Sequence, residues 1–187
     1  GDVYKRQDLN HDGVIDSNDQ APIGYNPVPE MTFSLAAGLN WKGIDFSILL
    51  QGAARSSIYL QQDIAWDNFW GNYYEEHIGR WTPETAATAT YPRFTKAATA
   101  AHPNYYKSDY WLKDSKYLRL KNIQLGYTIP RKLLKKFGVR SLRVYANAYN
   151  LFTWDNVKKV DPESSNNSNG QFYPQQKVIN FGINLNF

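Results

Sequence analysis

Residues 177–187 read KVINFGINLNF, and the alternation inside this stretch decides the fold. Ile179, Phe181, Ile183, Leu185 and Phe187 share one parity, while Asn180, Gly182, Asn184 and Asn186 share the other. Apolar residues at every second position describe a strand with one apolar face; a helix would repeat them every three or four residues. The same period recurs upstream. In SLRVYANAYNLFTW (141–154), Leu142, Val144, Ala146 and Ala148 oppose Arg143, Tyr145, Asn147 and Tyr149. MTFSLAAGLNW (31–41) sets Phe33, Leu35, Ala37, Leu39 and Trp41 on one side, and IDFSILLQG (44–52) does so with Phe46, Ile48 and Leu50. Lys42-Gly43 between them is a two-residue turn signal, so 31–54 is expected to be a hairpin.

One strand breaks the pattern. In KYLRLKNIQLGYTIP (116–130), Leu118 and Leu120 have even numbers, whereas Ile123, Leu125 and Tyr127 have odd ones. A single unbroken alternation would put Arg119 and Lys121 on the same face as Ile123 and Leu125. On a lipid-facing surface each such charge costs about 2–4 kcal/mol near the midplane. A β-bulge near Asn122, or a strand whose upper part has already left the bilayer, removes the conflict. Pro130 ends this strand, and RKLLKKFG is expected as a short helical turn stopped by Gly138.

Five strands are therefore expected at about 31–41, 44–54, 116–128, 141–153 and 177–187. The connections between them alternate in length. Residues 42–43 and 130–140 are short; 54–115 and 155–176 are long and polar. Short turns at one end and long loops at the other are the habit of outer-membrane barrels. The fold class is all-β: the C-terminal five antiparallel strands of a large transmembrane β-barrel, with long extracellular loops and short periplasmic turns. Residues 1–30 then belong to an extracellular loop, and Asn40, Asp45, Gln51, Arg143, Asn147 and Asn184 face the barrel interior.

Composition agrees. Aromatic residues make up 16% of the 187 residues, on a polar background with a single Met. Absence of Cys excludes disulfide frameworks, thiolate zinc sites and thiol catalysis. The net charge of +4 is modest, and its densest cluster, Arg131, Lys132, Lys135 and Lys136, comes with no helix-turn-helix or RRM-like motif. Nucleic acid is not an expected partner.

The sharpest local motif is DLNHDGVIDSND (8–19). Asp8, Asn10, Asp12 and Asp16 stand at loop positions one, three, five and nine of a calcium loop, with Gly13 at six and the Val14 carbonyl at seven. Asp19 takes the twelfth place, where Glu is usual. Hard oxygens at alternate positions of a tight loop can converge on Ca²⁺, in a structural role that pins an extracellular loop; the alternative is an Asp/Asn-rich turn that holds no metal. Catalysis has little support. His11, His77 and His102 are scattered, and no two of Asp63, Asp67, Glu75, Glu76 and Glu84 stand out as a working pair. The first long loop is rich in aromatics, and Trp66, Trp70, Tyr73 and Trp111 are candidate platforms for a sugar or other ligand; such rings could equally pack the loop against its neighbours or form the outer interfacial girdle.

Several segments resemble the C-terminal region of SusC/RagA-type TonB-linked outer-membrane receptors. They are DLNHDGVID, RWTPE (80–84), YPR (91–93), SDYWLKDSKYLRLKNIQLGYTIP (108–130), SLRVYANAYNLFTW, DPE (161–163), YPQ (173–175) and INFGINLNF. The resemblance implies a larger parent with a plug and a barrel of about 22 strands. It also implies import of glycan oligosaccharides or peptides, a SusD-like surface lipoprotein as partner, and energy supplied by the TonB complex through the plug. Phe181, Ile183, Leu185 and Phe187 resemble the terminal signal read by the barrel-assembly machinery. Membrane lipid is the remaining expected partner. Two other readings stay open: a secreted calcium-dependent carbohydrate-binding β-sandwich, and a receptor for siderophores or cobalamin.

Overall fold

The structure, a computed structural model, describes residues 8–14, 16, 18–67, 71–96, 102–158, 160–164 and 173–187. The described residues fall into two compact units. One comprises Pro29–Ser56, Ser115–Pro162 and Tyr173–Phe187; the other comprises Gly1–Val28, Ser57–Asp114 and Glu163–Phe172.

The first unit is a five-stranded antiparallel sheet. β1 (Met31–Trp41), β2 (Ile44–Ala54), β5 (Tyr117–Thr128), β6 (Ser141–Asp155) and β7 (Val178–Asn186) pair in that order. A transmembrane strand needs about 9–11 residues when tilted by about 45°. β1 and β2, at 11 residues each, match that span, whereas the 15 residues of β6 run past it. β3 (Ser57–Tyr59) and β4 (Leu112–Asp114) lie in the other unit.

The register places every apolar parity on one face. Leu35 lies opposite Leu50, which lies opposite Leu120, which lies opposite Phe152. Leu39, Phe46, Leu125, Ala146 and Phe181 make a second such row. Most of these side chains stay open or half-open, with Phe181 82% exposed and Leu35 62%, whereas Leu120, at 8%, is covered. A soluble protein rarely exposes a contiguous apolar patch of more than a few hundred Å². A sheet apolar across five strands on one side is built to meet hydrocarbon, and no helix among the described residues is long and apolar enough to cross a membrane.

The phase slip resolves as a bulge at Lys121. Leu49 pairs with Asn122 and Leu50 with Leu120, so β5 carries one residue that β2 does not match. Leu118 and Leu120 thereby join Ile123, Leu125 and Tyr127 on one face, and Arg119 points to the other. A second irregularity lies on β6: between the pairs Leu120–Phe152 and Asn122–Tyr149, Asn150 and Leu151 stand against Lys121 alone. Asn150 takes φ of 51°, in the left-handed region that Asn tolerates better than most residues.

The β1–β2 turn has φ of 47° at Lys42 and 89° at Gly43. Positive φ at both central residues is the hairpin geometry whose twist suits the flanking strands. A Cβ on Gly43 would come within 2.7 Å of the Thr128 carbonyl oxygen, so the position demands glycine twice over. From β5 to β6 the chain runs through α1 (Arg131–Leu134) and a 3-10 turn (Lys135–Phe137), ended by Gly138 at φ of 68°. The two short connections leave one end of the sheet, and the longer ones leave the other.

The second unit has a core of its own. β3 and β4 pair antiparallel, and 3-10 turns at Gln62–Ile64, Glu75–Gly79 and Pro103–Tyr105 fold the chain back on itself. Ile58, Leu60, Ala65, Trp66, Tyr91, Tyr105 and Trp111 are buried together. Of the uses open to these rings, Trp66, Tyr91, Tyr105 and Trp111 take that of packing the loop on itself, supplying apolar area for its core.

Candidate functional site

The polar face of the sheet holds a ladder of hydrogen-bonding groups. Asp45 of β2 accepts a hydrogen bond from Arg143 Nε of β6 at 2.9 Å, and the Nη2 group bonds its second oxygen. The bridge crosses over β5 at Gly126. A Cβ there would lie 2.5 Å from both Arg143 Nη2 and Asp45 Oδ1, so only hydrogen leaves the passage open. The guanidinium also lies 4.8 Å from the centre of the Tyr145 ring, and that ring covers Gly182 on β7. Asn180 Nδ2 donates to Asn147 Oδ1 at 3.0 Å. Polar groups joined to one another in this way suit the wall of a water-filled barrel interior.

At the end of the sheet from which the long connections leave, Arg119 is 2% exposed. Its Nη2 meets Asp161 Oδ1 at 2.7 Å and its Nε donates to Thr153 Oγ1 at 3.0 Å. Asp161 Oδ2 accepts the Gln175 N–H at 3.3 Å, and Lys121 Nζ donates to Gln175 Oε1 at 3.1 Å. A buried cation thus ties together both ends of the 155–177 connection. Neither the Arg119–Asp161 tether nor the Asp45–Arg143 bridge is expected from sequence. Only the placement of Asp45 and Arg143 on one face hints at the latter.

In the loop unit a buried carboxylate organises the rings. Asp67 accepts hydrogen bonds from the Tyr105 hydroxyl and, at 3.1 Å, from the Thr95 N–H. The Tyr91 hydroxyl donates to the Ala65 carbonyl at 2.8 Å and accepts the Asp67 N–H at 3.0 Å. Burial, and then the Asp67 charge, holds the Tyr91 phenol well above its ordinary value. Tyr105 is raised by burial and by its bond to Asp67, and burial pushes Tyr59 and Tyr110 up to about 12. His77 accepts the Tyr74 N–H on Nδ1 at 3.0 Å, so its Nε2 carries the proton donated to the Ala65 carbonyl at 3.2 Å. All these groups are committed to holding the loop.

The expected ligand platforms need correction. Trp66 and Trp111 are each 3% exposed. Trp66 packs 4.7 Å from Tyr105, and Trp111 packs against Tyr91, Tyr105 and Tyr110 while its Nε1 donates to the Asn104 carbonyl. Their faces are spent on the loop core and offer a ligand nothing to stack on. Tyr73, 57% exposed, keeps an open face. Trp70 lies outside the described residues.

The Asp8–Asp19 loop is bound together by its own acceptors. Asp8 takes the N–H groups of Asp12 and Gly13, Asn10 that of Asp12, Asp12 that of Val14, and Asp16 that of Asn18. Asp19 reaches back to the Leu9, Asn10 and Asp16 N–H groups at 2.7, 3.3 and 2.7 Å. The Asp16 N–H, with smaller help from Leu9 and Asn10, holds the Asp19 carboxyl below its ordinary value. Gly13 has φ of 85°, which the sixth position of a calcium loop requires. Among the described residues no group of three or more His, Asp or Glu side chains is gathered for a metal ion; these carboxylates face backbone instead. Phe181, Ile183, Leu185 and Phe187 are exposed on or beyond β7.

Comparison with known proteins gives a consistent picture. No family model matches the chain. TonB-dependent receptor P26 of Formosa agariphila is 30% identical across 98% of this chain and 19% of its own length. TonB-dependent receptor SusC of Bacteroides thetaiotaomicron is 27% identical across 96% of the chain and 17% of its own length. The chain thus spans about a fifth of these relatives. Among solved structures, the RagAB peptide importer in its open-open state superposes with a TM-score of 0.69 at 22% identity, over 92% of this chain and 19% of that one. That likeness is one of fold.

Proposed function

Since the chain belongs to the TonB-dependent receptors, as a segment of a SusC/RagA-type barrel in the outer membrane, we propose that it serves TonB-energised nutrient import. The substrate we assign is a glycan oligosaccharide, delivered with a SusD-like surface lipoprotein. This segment supplies barrel wall and extracellular loop, and no chemical step is assigned to it. The observation that carries the reading is the division of the sheet: unbroken apolar residues on one face, and the Asp45–Arg143 bridge with its asparagines on the other. The peptide importer among the structural neighbours favours a second reading, in which the cargo is a peptide.

Calcium in the Asp8–Asp19 loop is part of the same proposal. It rests on the oxygen donors Asp8, Asn10, Asp12, Asp16 and Asp19, the Val14 carbonyl and the turn at Gly13, and the ion's role is to stiffen an extracellular loop.

The deciding experiment uses the full-length receptor in outer-membrane fractions. Migration that changes on boiling, together with TonB-dependent uptake of labelled oligosaccharide, supports the proposal. Uptake of labelled peptide alone selects the second reading. A soluble protein with no boiling-dependent shift would sink both.

A further inference from the structure

We infer that the connection from Pro130 to Arg140 anchors the barrel to anionic phospholipid headgroups of the periplasmic leaflet. Leu134 is buried, so one side of α1 is already packed. Leu133 in α1 and Phe137 in the 3-10 turn that follows it stay 65% and 76% exposed. Around them stand Arg131, Lys132, Lys135, Lys136 and Arg140, all exposed, with no Asp or Glu between Pro130 and Trp154.

Two large apolar side chains in water beside clustered cations are poor design for a turn facing solvent alone. They are good design for an interface, where apolar groups enter the acyl boundary and cations meet phosphates. The neighbouring strand ends continue the pattern. Trp41, Ile44, Tyr127 and Leu142 close the apolar face at this end of the sheet, and Lys42 Nζ lies 5.0 Å from the centre of the Trp41 ring. Rings with cations at a rim mark the level where bilayer meets water. The acid in the strands here, Asp45, is held by Arg143 and offers the cluster no counter-charge. Short connections on such barrels face the periplasm, which fixes the leaflet. The inference rests on the membrane orientation of the sheet and goes beyond the import proposal.

The test uses the full-length receptor carrying a nitroxide at Phe137→Cys. It is reconstituted in phosphatidylcholine vesicles with and without phosphatidylglycerol. A label more accessible to oxygen than to a water-soluble nickel chelate, and deeper when phosphatidylglycerol is present, is the expected result. Replacing Lys132, Lys135 and Lys136 together with Gln should abolish the phosphatidylglycerol-dependent shift. Preferential access by nickel in both vesicles would overturn the anchor. Equal depth in both would overturn the headgroup recognition. Immobilisation only on adding the periplasmic domain of TonB would assign the surface to a protein instead. A second label at Leu125→Cys, on the lipid-facing side of β5, separates the failures. If it too favours nickel, the membrane orientation falls and takes the anchor with it; if it favours oxygen while Phe137 does not, only the anchor is lost.

Discussion

Arg143 on β6 grips Asp45 on β2 across the whole width of β5, and the strand between them passes beneath the bridge as Gly126. Three strands are thereby coupled on the polar face by one charge-assisted pair. Replacing Gly126 with Val would drive a side chain into the space of the bridge. The expected loss is about 1–3 kcal/mol, the scale of hydrogen bonds to charged groups. Urea titration of the folded, heat-modifiable band in lipid would measure it. In an Asp45→Ala, Arg143→Ala background the same change should cost far less, because nothing remains to displace. Equal cost in both backgrounds would show that Gly126 serves another purpose.

Lys121 makes a different kind of prediction, because its side chain matters less than the number of residues around it. Inserting one Ala after it, with the bulge still absorbing a single residue, shifts the outer half of β5 by one and turns Arg119 towards lipid and Leu120 inward. Arg119 would leave Asp161 and Thr153, and a stripped buried pair commonly costs about 3–5 kcal/mol. The insertion is expected to abolish the heat-modifiable band. Deleting Lys121 should keep it, because Leu120 then stands two places from Ile123 and Arg119 stays inward. An insertion that still assembled would mean the register is set elsewhere.

Why one bulge is legible in sequence and the other is not follows from counting. One inserted residue at Lys121 inverts parity, and Leu120 and Ile123 display the inversion. Asn150 and Leu151 on β6 insert together relative to β2, which leaves Ala148 and Phe152 on the same parity and hides the event. The strands themselves are legible because a one-sided surface must alternate. The interior of the 57–114 segment is not, because Trp66, Tyr91, Tyr105 and Trp111 reach one another through irregular turns with no period to detect. For the same reason two of the candidate platforms, Trp66 and Trp111, turn out to be core. The Arg119–Asp161 tether, spanning 42 positions, has no local signature either.

Raised phenols make the loop unit sensitive to alkali. Tyr59 and Tyr110 are held near 12 by burial, against an ordinary value of 10.0. Their folded form keeps its protons where the unfolded form has lost them. The stabilisation is therefore complete below pH 10 and lost as pH rises through the folded value. Ultraviolet titration of the receptor should show a group of tyrosines ionising late, together with loss of protease resistance in residues 57–114. Asp67→Asn should bring that loss on at lower pH, since Tyr105 and Thr95 lose a charged acceptor. Simple titration near pH 10 with an intact loop would contradict this.

The Asp8–Asp19 loop is expected to fail at the opposite end of the scale. Asp19 lies below its ordinary 3.8 because backbone N–H groups bond its charged form. The order it provides is present above that value and fades as pH falls through the lower, folded one. Hydrogen exchange at the Leu9, Asn10 and Asp16 amides reports it directly. Added Ca²⁺ should slow exchange at these amides at neutral pH, and Asp12→Ala should remove the slowing. Exchange indifferent to Ca²⁺ would retire the proposed cation and leave the hydrogen-bonded loop standing.

Adjacent residues on β2 offer the sharpest trial of the sheet's orientation. Ile48 pairs with Ala37 and Ile123 in the middle of the apolar face, while Ser47 pairs with Gly38 and Gln124 on the polar one. The same substitution at the two positions differs only in which side of the sheet receives the charge. Ile48→Lys puts an ammonium into hydrocarbon near mid-depth, at a cost of about 2–4 kcal/mol. Ser47→Lys puts it among water and amides, where a change within about 0.5 kcal/mol is the usual surface outcome. Unfolding titrations of both variants in lipid should therefore separate by at least a factor of ten in the folded-to-unfolded ratio, with Ile48→Lys the weaker. Equal losses would mean that both faces meet the same medium, which no wall between lipid and a polar interior could do.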